Sequence, residues 1–385
     1  MAPPSLTRLL DRVLERLSAR WGSVFAAPAA RRLQICLSRL PVNDAPPQAP
    51  ELFRPDADYF YPASTVKLVA AVLAMKRVAE LQRDEMWQGF SLDTPLRVHD
   101  EHRGVVDRDE TNIEGNALTL RHCIRRALII SENEPHNRIF GFIGFDETQR
   151  LLGEIGFHDA AIVHRLDDTR PADEQRRTPR IEALLPGRTL TLPARTGREP
   201  PPRSPCPVGV AHYRDGVRID EPMDFRSKNR LRLVDLHGLV IDIHRAARAG
   251  RSLHGIDAHE IAWLADTMSL TPGQSHNPVY SPKTYPDAYC KPMLPGLRRV
   301  GNVRVMNKLG WAYGFVTDAA VLTDPACPGG LALSVTLFVS PDEVLNNDDY
   351  QYDEIATPLI ADLAEAAWYE HQTGERAHRR VRDDV

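Results

Sequence analysis

The sequence predicts an α/β (α+β) fold: an antiparallel sheet flanked by helices, plus an all-helical domain inserted into it. Three observations predict this. Strand-like runs stand near the start of the chain and again in its last third, while helical periodicity fills the middle. The last three strand-like runs are joined by short turns rich in Gly and Pro, as antiparallel neighbours require. Strands at both ends with helices between them suggest a sheet assembled from both termini. The sheet domain is expected over 1–58 and 285–385, and the helical domain over 59–284.

Leu9, Leu10, Val13, Leu14 and Leu17 recur at helical spacing, with charged residues between them, and read as an amphipathic helix. Arg32 to Leu40 mixes β-branched and apolar residues and stops at Pro41, a strand, and a stretch containing Pro46, Pro47 and Pro50 follows. From Tyr59 to Leu81, Pro62 and Ser64 mark a helix start. Val66 onward is apolar on nearly every face, the signature of a buried central helix. Helical patterns return at Leu118 to Ile130, Asn133 to Phe142 and Asp146 to Ile155, and Val163 to Thr178 reads as a long irregular loop. Pro186 to Asn229, dense in Pro, Gly and Arg around Pro200-Pro201-Pro202, reads as an insertion that is looped or partly disordered. Leu231 to Ala249 and Ile256 to Leu270 are helical. Val303 to Leu309, Ala312 to Leu322 and Leu331 to Val339 are the closing strands, and a helix from Tyr352 to Tyr369 precedes a charged tail expected to fray.

Composition narrows the function. With 48 Lys+Arg against 52 Asp+Glu and a pI near 6.4, the chain lacks the basic footprint of a nucleic-acid-coating protein. The longest apolar run, Leu68 to Met75, is too short to span a bilayer. Cys36, Cys123, Cys206, Cys290 and Cys327 form no C-x-x-C pair, so a zinc ribbon or redox motif has no support. The first forty residues carry no secretory signal pattern, so either the protein stays inside the cell or an export signal lies upstream. Lys occurs only at 67, 76, 228, 283, 291 and 308, and the other 42 of the 48 basic residues are Arg. A retained Lys is informative, because Lys can give up its proton and Arg effectively cannot.

Two of those six lysines sit in motifs. Ser64-Thr65-Val66-Lys67 places a hydroxyl and an amine one helical turn apart at the start of the buried helix. A serine nucleophile needs a neighbouring base, and a desolvated Lys can be neutral enough to serve. Alone, Ser-x-x-Lys also reads as a capping serine beside a solvated lysine. Ser131-Glu132-Asn133 follows the next helix, and Lys308-Leu309-Gly310 ends a strand. In order and residue type the three resemble the motif set of the penicillin-recognising serine hydrolases, closest to the class A β-lactamase-like branch. Asn137 matches an asparagine of that branch, and YFYPASTVK and NKLGWAYGF resemble a subgroup of undetermined substrate.

The resemblance covers the chain from its first helix to its last, with Pro186 to Asn229 as an extra segment, and it puts the active site in the cleft between the two domains. It implies that Ser64 is the acylated nucleophile, Lys67 its activating partner, and Ser131 the group passing a proton to the leaving group. Asn133 would bind the substrate's amide side chain. Lys308 would supply positive field, and the N–H groups of Ser64 and Trp311, just past Gly310, would form the oxyanion hole. The deacylating carboxylate falls by the family's spacing on Asp167, with Asp168 nearly as good, although the family has Glu there. Arg165 and Asp173-Glu174 resemble the same loop. A salt-bridged solvated loop is the bland alternative. Leu309 departs from the family's Lys-Thr-Gly and removes a hydroxyl that helps bind a β-lactam's carboxylate.

The implied function is hydrolysis of a β-lactam or related amide or peptide. A D-Ala-D-Ala-type peptidase, transpeptidase or esterase, or an acylated sensor, is the alternative. The expected partner is a small-molecule or peptide substrate, with no metal, no organic cofactor and a monomer assumed. A cell-wall substrate would place the protein in the periplasm or outside the cell, with the cytoplasm as the alternative. His99-Asp100-Glu101-His102 has metal-ligand residue types but no third ligand at useful spacing, and reads as a solvated loop. Tyr59, Phe60 and Tyr61 read as core or cleft wall. Trp311 and Tyr313 read as packing or groove lining. The Arg-rich stretch from Arg176 to Arg203 could contact an acidic surface, and reads first as a solvated insertion.

Overall fold

In a computed structural model, five strands form one antiparallel sheet in the order Arg304–Ala312, Phe315–Asp324, Cys327–Phe338, Gln34–Leu40 and Glu51–Phe53. The structure describes residues 8–42, 45 and 48–383, leaving out the side chains of 328 and 375–383. Pro46 and Pro47 of the predicted Pro-rich stretch lie outside the described residues.

The Gln34–Leu40 strand pairs with the end of the chain, Gln34 opposite Thr336 and Leu40 opposite Gly330. The sheet therefore joins both termini, and alternation along each strand sends side chains to two different cores. Ile35, Leu37, Val305 and Leu309 face the Leu9–Ala26 and Thr357–Asp383 helices, where Trp368 is fully buried. Cys36, Met306 and Ala319 face the other way, onto a core centred on the Val66–Leu81 helix. From Val66 to Met75 every residue of that helix is at most 2% exposed, as its all-round apolar sequence requires. Helices Leu120–Ile129, Asn133–Ile143, Phe145–Glu154, Leu233–Arg248 and Ala258–Ser269 pack around it.

Three expectations are corrected. The Pro/Arg-rich stretch is neither looped throughout nor disordered. Arg188–Leu192 forms a hairpin with Arg180–Leu185, and Ala211–Arg214 pairs with Val217–Ile219 and, in parallel, with Val344–Leu345. Of its prolines only Pro207 lies in a strand, as the first residue of the two-residue strand Pro207–Val208, a position that proline tolerates. The 163–178 loop holds one short helix, Ala172–Gln175. The last helix does not end at Tyr369 but continues to Asp383, because a charged sequence without proline keeps helical propensity although it has no apolar face.

Candidate active site

Ser64 lies in a single 3₁₀ turn, Ala63–Thr65, which runs directly into the Val66–Leu81 helix. Its side chain is half-buried and opens onto a cleft of about 470 Å³. Asn133, Asp167, Trp311, Tyr313 and Tyr350 are among the other lining residues. Lys67, one turn further, points down beneath this cleft and is completely buried.

Two lysines converge on one hydroxyl. Lys67 Nζ donates to Ser131 Oγ at 3.2 Å, to Asn133 Oδ1 at 2.7 Å and to the Ser131 carbonyl. Lys308 Nζ donates to Ser131 Oγ at 2.8 Å and to the Leu309 carbonyl at 2.6 Å. No carboxylate pairs with either ammonium among the described residues. Burial, and then repulsion from Lys308, pushes the Lys67 amine well below the usual lysine range. Burial brings Lys308 down to about 8.

Local structure holds these groups in place. Ser131 has φ +65°, a left-handed conformation unusual for a residue with a side chain. It is fixed from the next residue, because Arg126 Nε donates to Glu132 Oε1 at 3.0 Å and Tyr280 donates to the same oxygen at 3.4 Å. Ala63, Asp167 and Tyr313 also have positive φ, at 45°, 51° and 55°, and all three line the cleft. Strained backbone of this kind persists only where surrounding contacts over-determine it.

The Arg304–Ala312 strand is a sheet edge and brings its free side to Ser64. A Cβ on Gly310 would lie 2.7 Å from the Pro62 oxygen and from the nitrogens of Ser64 and Thr65, so only glycine permits this approach. Because Lys308 Nζ reaches the Leu309 carbonyl, that residue's backbone groups face away from the sheet. In an antiparallel ladder the residue two further on faces the same way, which turns the Trp311 N–H toward the Ser64 side. Its indole is 40% exposed.

Asp167 is exposed at the cleft, and Asn137 sets its position. The Asn137 amide donates to the Leu166 carbonyl at 2.8 Å and accepts from the Leu166 N–H at 2.9 Å. Buried Arg165 braces the loop by donating to the carbonyls of Gln175 and Arg177. Asp168, the near-equal candidate from the sequence, turns the other way. It accepts from the Arg170 N–H at 3.1 Å and pairs with the Arg170 guanidinium, away from Ser64. Leu309 also points away from the cleft and is 4% exposed in the core against the terminal helices.

The remaining candidates have ordinary partners. His99 contacts Arg180 and Glu182, and His102 contacts Glu174. The described residues contain no group of three His, Cys, Asp or Glu arranged to hold a metal. No helix is long and apolar enough to cross a membrane among them. Sequence reasoning missed Asn346, Asp348, Tyr350 and Tyr352, which line the cleft beyond the last strand. The Asn- and Asp-rich run with alternating tyrosines at 346–352 was a usable signal for a turn at a site.

Residues 48–187 match the model of the beta-lactamase enzyme family. No curated protein matches the chain. Among solved structures, PBP-A is 15% identical with a TM-score of 0.53, over 97% of this chain and 100% of that one. A class A β-lactamase representative from Bacteroides cellulosilyticus DSM 14838 is 10% identical with a TM-score of 0.54, over 95% and 99%. The β-lactamase from Sphaerobacter thermophilus DSM 20745 is 15% identical with a TM-score of 0.50, over 93% and 95%. At these identities the likeness is one of fold. The 48–187 segment thus resembles the beta-lactamase enzyme family, and the whole chain has the fold of the class A β-lactamases and PBP-A.

Proposed function

We propose that the protein is a serine hydrolase that forms an acyl-enzyme at Ser64 with a β-lactam or a related amide or peptide. The observation that carries this reading is Ser131 Oγ held between the amines of Lys67 and Lys308, with Lys67 also bonded to Asn133, which lines the cleft on which Ser64 opens. Lys67, its amine biased toward the neutral form, takes the proton of the Ser64 hydroxyl as Oγ bonds to the substrate's carbonyl carbon. The oxyanion draws on the N–H groups of Ser64 and Trp311, each such donor contributing about 3 kcal/mol. Ser131 then gives its proton to the departing nitrogen as the C–N bond breaks, and is reprotonated from the lysines. With Asn133 Oδ1 committed to Lys67, the Asn133 NH₂ group is left for the substrate amide. In deacylation Asp167 takes a proton from the water that attacks the ester.

A peptidase or esterase with little β-lactam turnover is the second reading. It is favoured by Leu309, whose buried side chain offers no hydroxyl to a β-lactam's carboxylate. One solved relative of this fold, a PBP-A variant, is described as an acyl-enzyme complex with penicillin G. A stoichiometric burst without turnover would mark a sensor instead. The test is intact mass after exposure to penicillin and, separately, to a fluorophosphonate, with Ser64→Ala as control. The expected result is a one-to-one adduct with at least one probe that the variant lacks. Absence of an adduct with both overturns the acyl-enzyme reading.

A further inference from the structure

The Pro/Arg-rich segment encloses a second cavity of about 380 Å³, between its own residues 199–203 and 226–228 and the loop from 163 to 176. This cavity shares no lining residue with the Ser64 cleft. Its charge is lopsided. Five cations line it against two carboxylates, Asp168 and Glu199. Arg170 is spent on Asp168, and Arg226 is spent on Asp224. The Arg176 guanidinium donates to the carbonyls of Gly197 and Ala172, and Lys228 Nζ has the Tyr313 hydroxyl at 3.3 Å. Arg203 is half-buried and lies in the field of Arg230, a residue of the neighbouring cavity that Arg203 also lines. None of Arg176, Arg203 and Lys228 forms an ion pair with a carboxylate among the described residues, in a chain whose other arginines mostly do. Like charges held together and partly desolvated are unfavourable unless an anion joins them.

We propose that this cavity is a binding site for a small anionic ligand bearing carboxylate or phosphate groups, distinct from the Ser64 cleft. The size suits a ligand of small-molecule dimensions. Guanidinium forks from two walls and one ammonium match the planar or tetrahedral oxyanions that such groups present. Pro200, Pro201 and Pro202 stiffen one wall, so the cations are pre-positioned rather than gathered on binding. The site also touches the chemistry. The His164 ring stacks on Tyr61 at 6.3 Å, and Lys228 contacts Tyr313, and both tyrosines line the Ser64 cleft. An anion here sits behind the loop whose other face carries Asp167.

Calorimetric titration of the full chain with citrate and, separately, pyrophosphate tests this and tells the two chemistries apart. Binding of either is expected, weakening with added salt. Arg203→Gln and Lys228→Gln should each weaken it about tenfold, the size of one lost charge-assisted hydrogen bond. Lys228→Arg should retain it, and Arg176→Gln, on the opposite wall, gives an independent loss if either of the first two variants misfolds. Ser64→Ala should bind as tightly as the parent, so failure of acylation leaves this result untouched. The proposal is overturned if neither anion binds, if the charge-removing variants bind normally, or if Ser64→Ala abolishes binding.

Discussion

Gly310→Ala tests the contact on which the site depends. The added methyl would fall 2.7 Å from three backbone atoms, where ordinary van der Waals contact begins at 3.4 Å, a shortfall of 0.7 Å. Those atoms belong to Pro62, Ser64 and Thr65, which cannot swing aside as a side chain would, so the edge strand or the nucleophile turn has to move. Gly310 has no positive φ, so space alone is at issue. A displacement near 1 Å at reacting groups costs about 100-fold in rate. Overpacking costs about 1–3 kcal/mol of stability. The acylation rate constant with a fluorescent penicillin or fluorophosphonate is therefore expected to fall about 100-fold, with a lowered urea midpoint. Gly238→Ala is the matched control, since nothing lies within 4 Å of its Cβ and it sits in the interior of the Leu233–Arg248 helix. It should acylate normally and gain about 0.5–1 kcal/mol. Acylation of the Gly310 variant at the parent rate, in a folded protein, would refute the proposed contact between strand and nucleophile.

Other outcomes follow from the same geometry. The acylation rate should trace a bell against pH: it rises as the depressed Lys67 amine loses its proton and falls near pH 8 as Lys308 loses its own. Lys308→Arg, which cannot deprotonate in that range, should remove the alkaline limb whatever it does to the maximum rate. Asp167→Asn should lengthen the life of the acyl-enzyme without slowing its formation, read by mass spectrometry over time. Asp168→Asn should leave that lifetime nearly unchanged and lower thermal stability instead, because its bonds are to Arg170 and Gln175. Lys291→Met should cost about 3 kcal/mol in urea unfolding. It strips the Met268 and Val305 carbonyls and Asn307 Oδ1 of a buried donor, with contacts of 2.8, 2.9 and 2.9 Å.

What was legible in the sequence was whatever local pattern controls. Val66–Leu81 announces a buried helix by its all-round apolar faces, and the three closing strands announce themselves by β-branched runs between Gly and Pro turns. Ser64, Lys67, Ser131 and Lys308 stand out in the sequence because the proposed chemistry needs those residue types in that order, and the fold brings Lys67 and Lys308 onto Ser131. Long-range contacts were not. Nothing near Leu309 says that its side chain faces the terminal helices, because that depends on strand register. The choice between Asp167 and Asp168 depends on one amide, Asn137, gripping Leu166 from another helix. The cation-lined cavity joins residues about thirty to sixty positions apart, and composition alone read them as solvated.

The two lysines under the cleft explain why a chain so committed to arginine keeps them. Arginine at either position would stay charged and form a fixed fork, whereas two buried ammonium groups sharing one hydroxyl need not both be protonated. Lys67 is the more strongly depressed, since it feels Lys308 as well as burial, so the site favours a neutral amine at 67 and an ammonium at 308. Under the proposed mechanism that makes a base and an electrostatic partner from one residue type by unequal surroundings. Both donate to Ser131 Oγ, so under the proposed mechanism the proton removed at Ser64 and the proton delivered to the leaving group pass through one short chain. A carboxylate against either amine would charge both lysines and end the division, and neither amine has one among the described residues. Glu132, one of the acids whose charge acts on Lys67, is bound to Arg126 instead. Arg126→Gln should accordingly free Glu132, raise the Lys67 amine and move the acid limb of the acylation profile to higher pH; an unmoved limb in a folded variant would contradict this account.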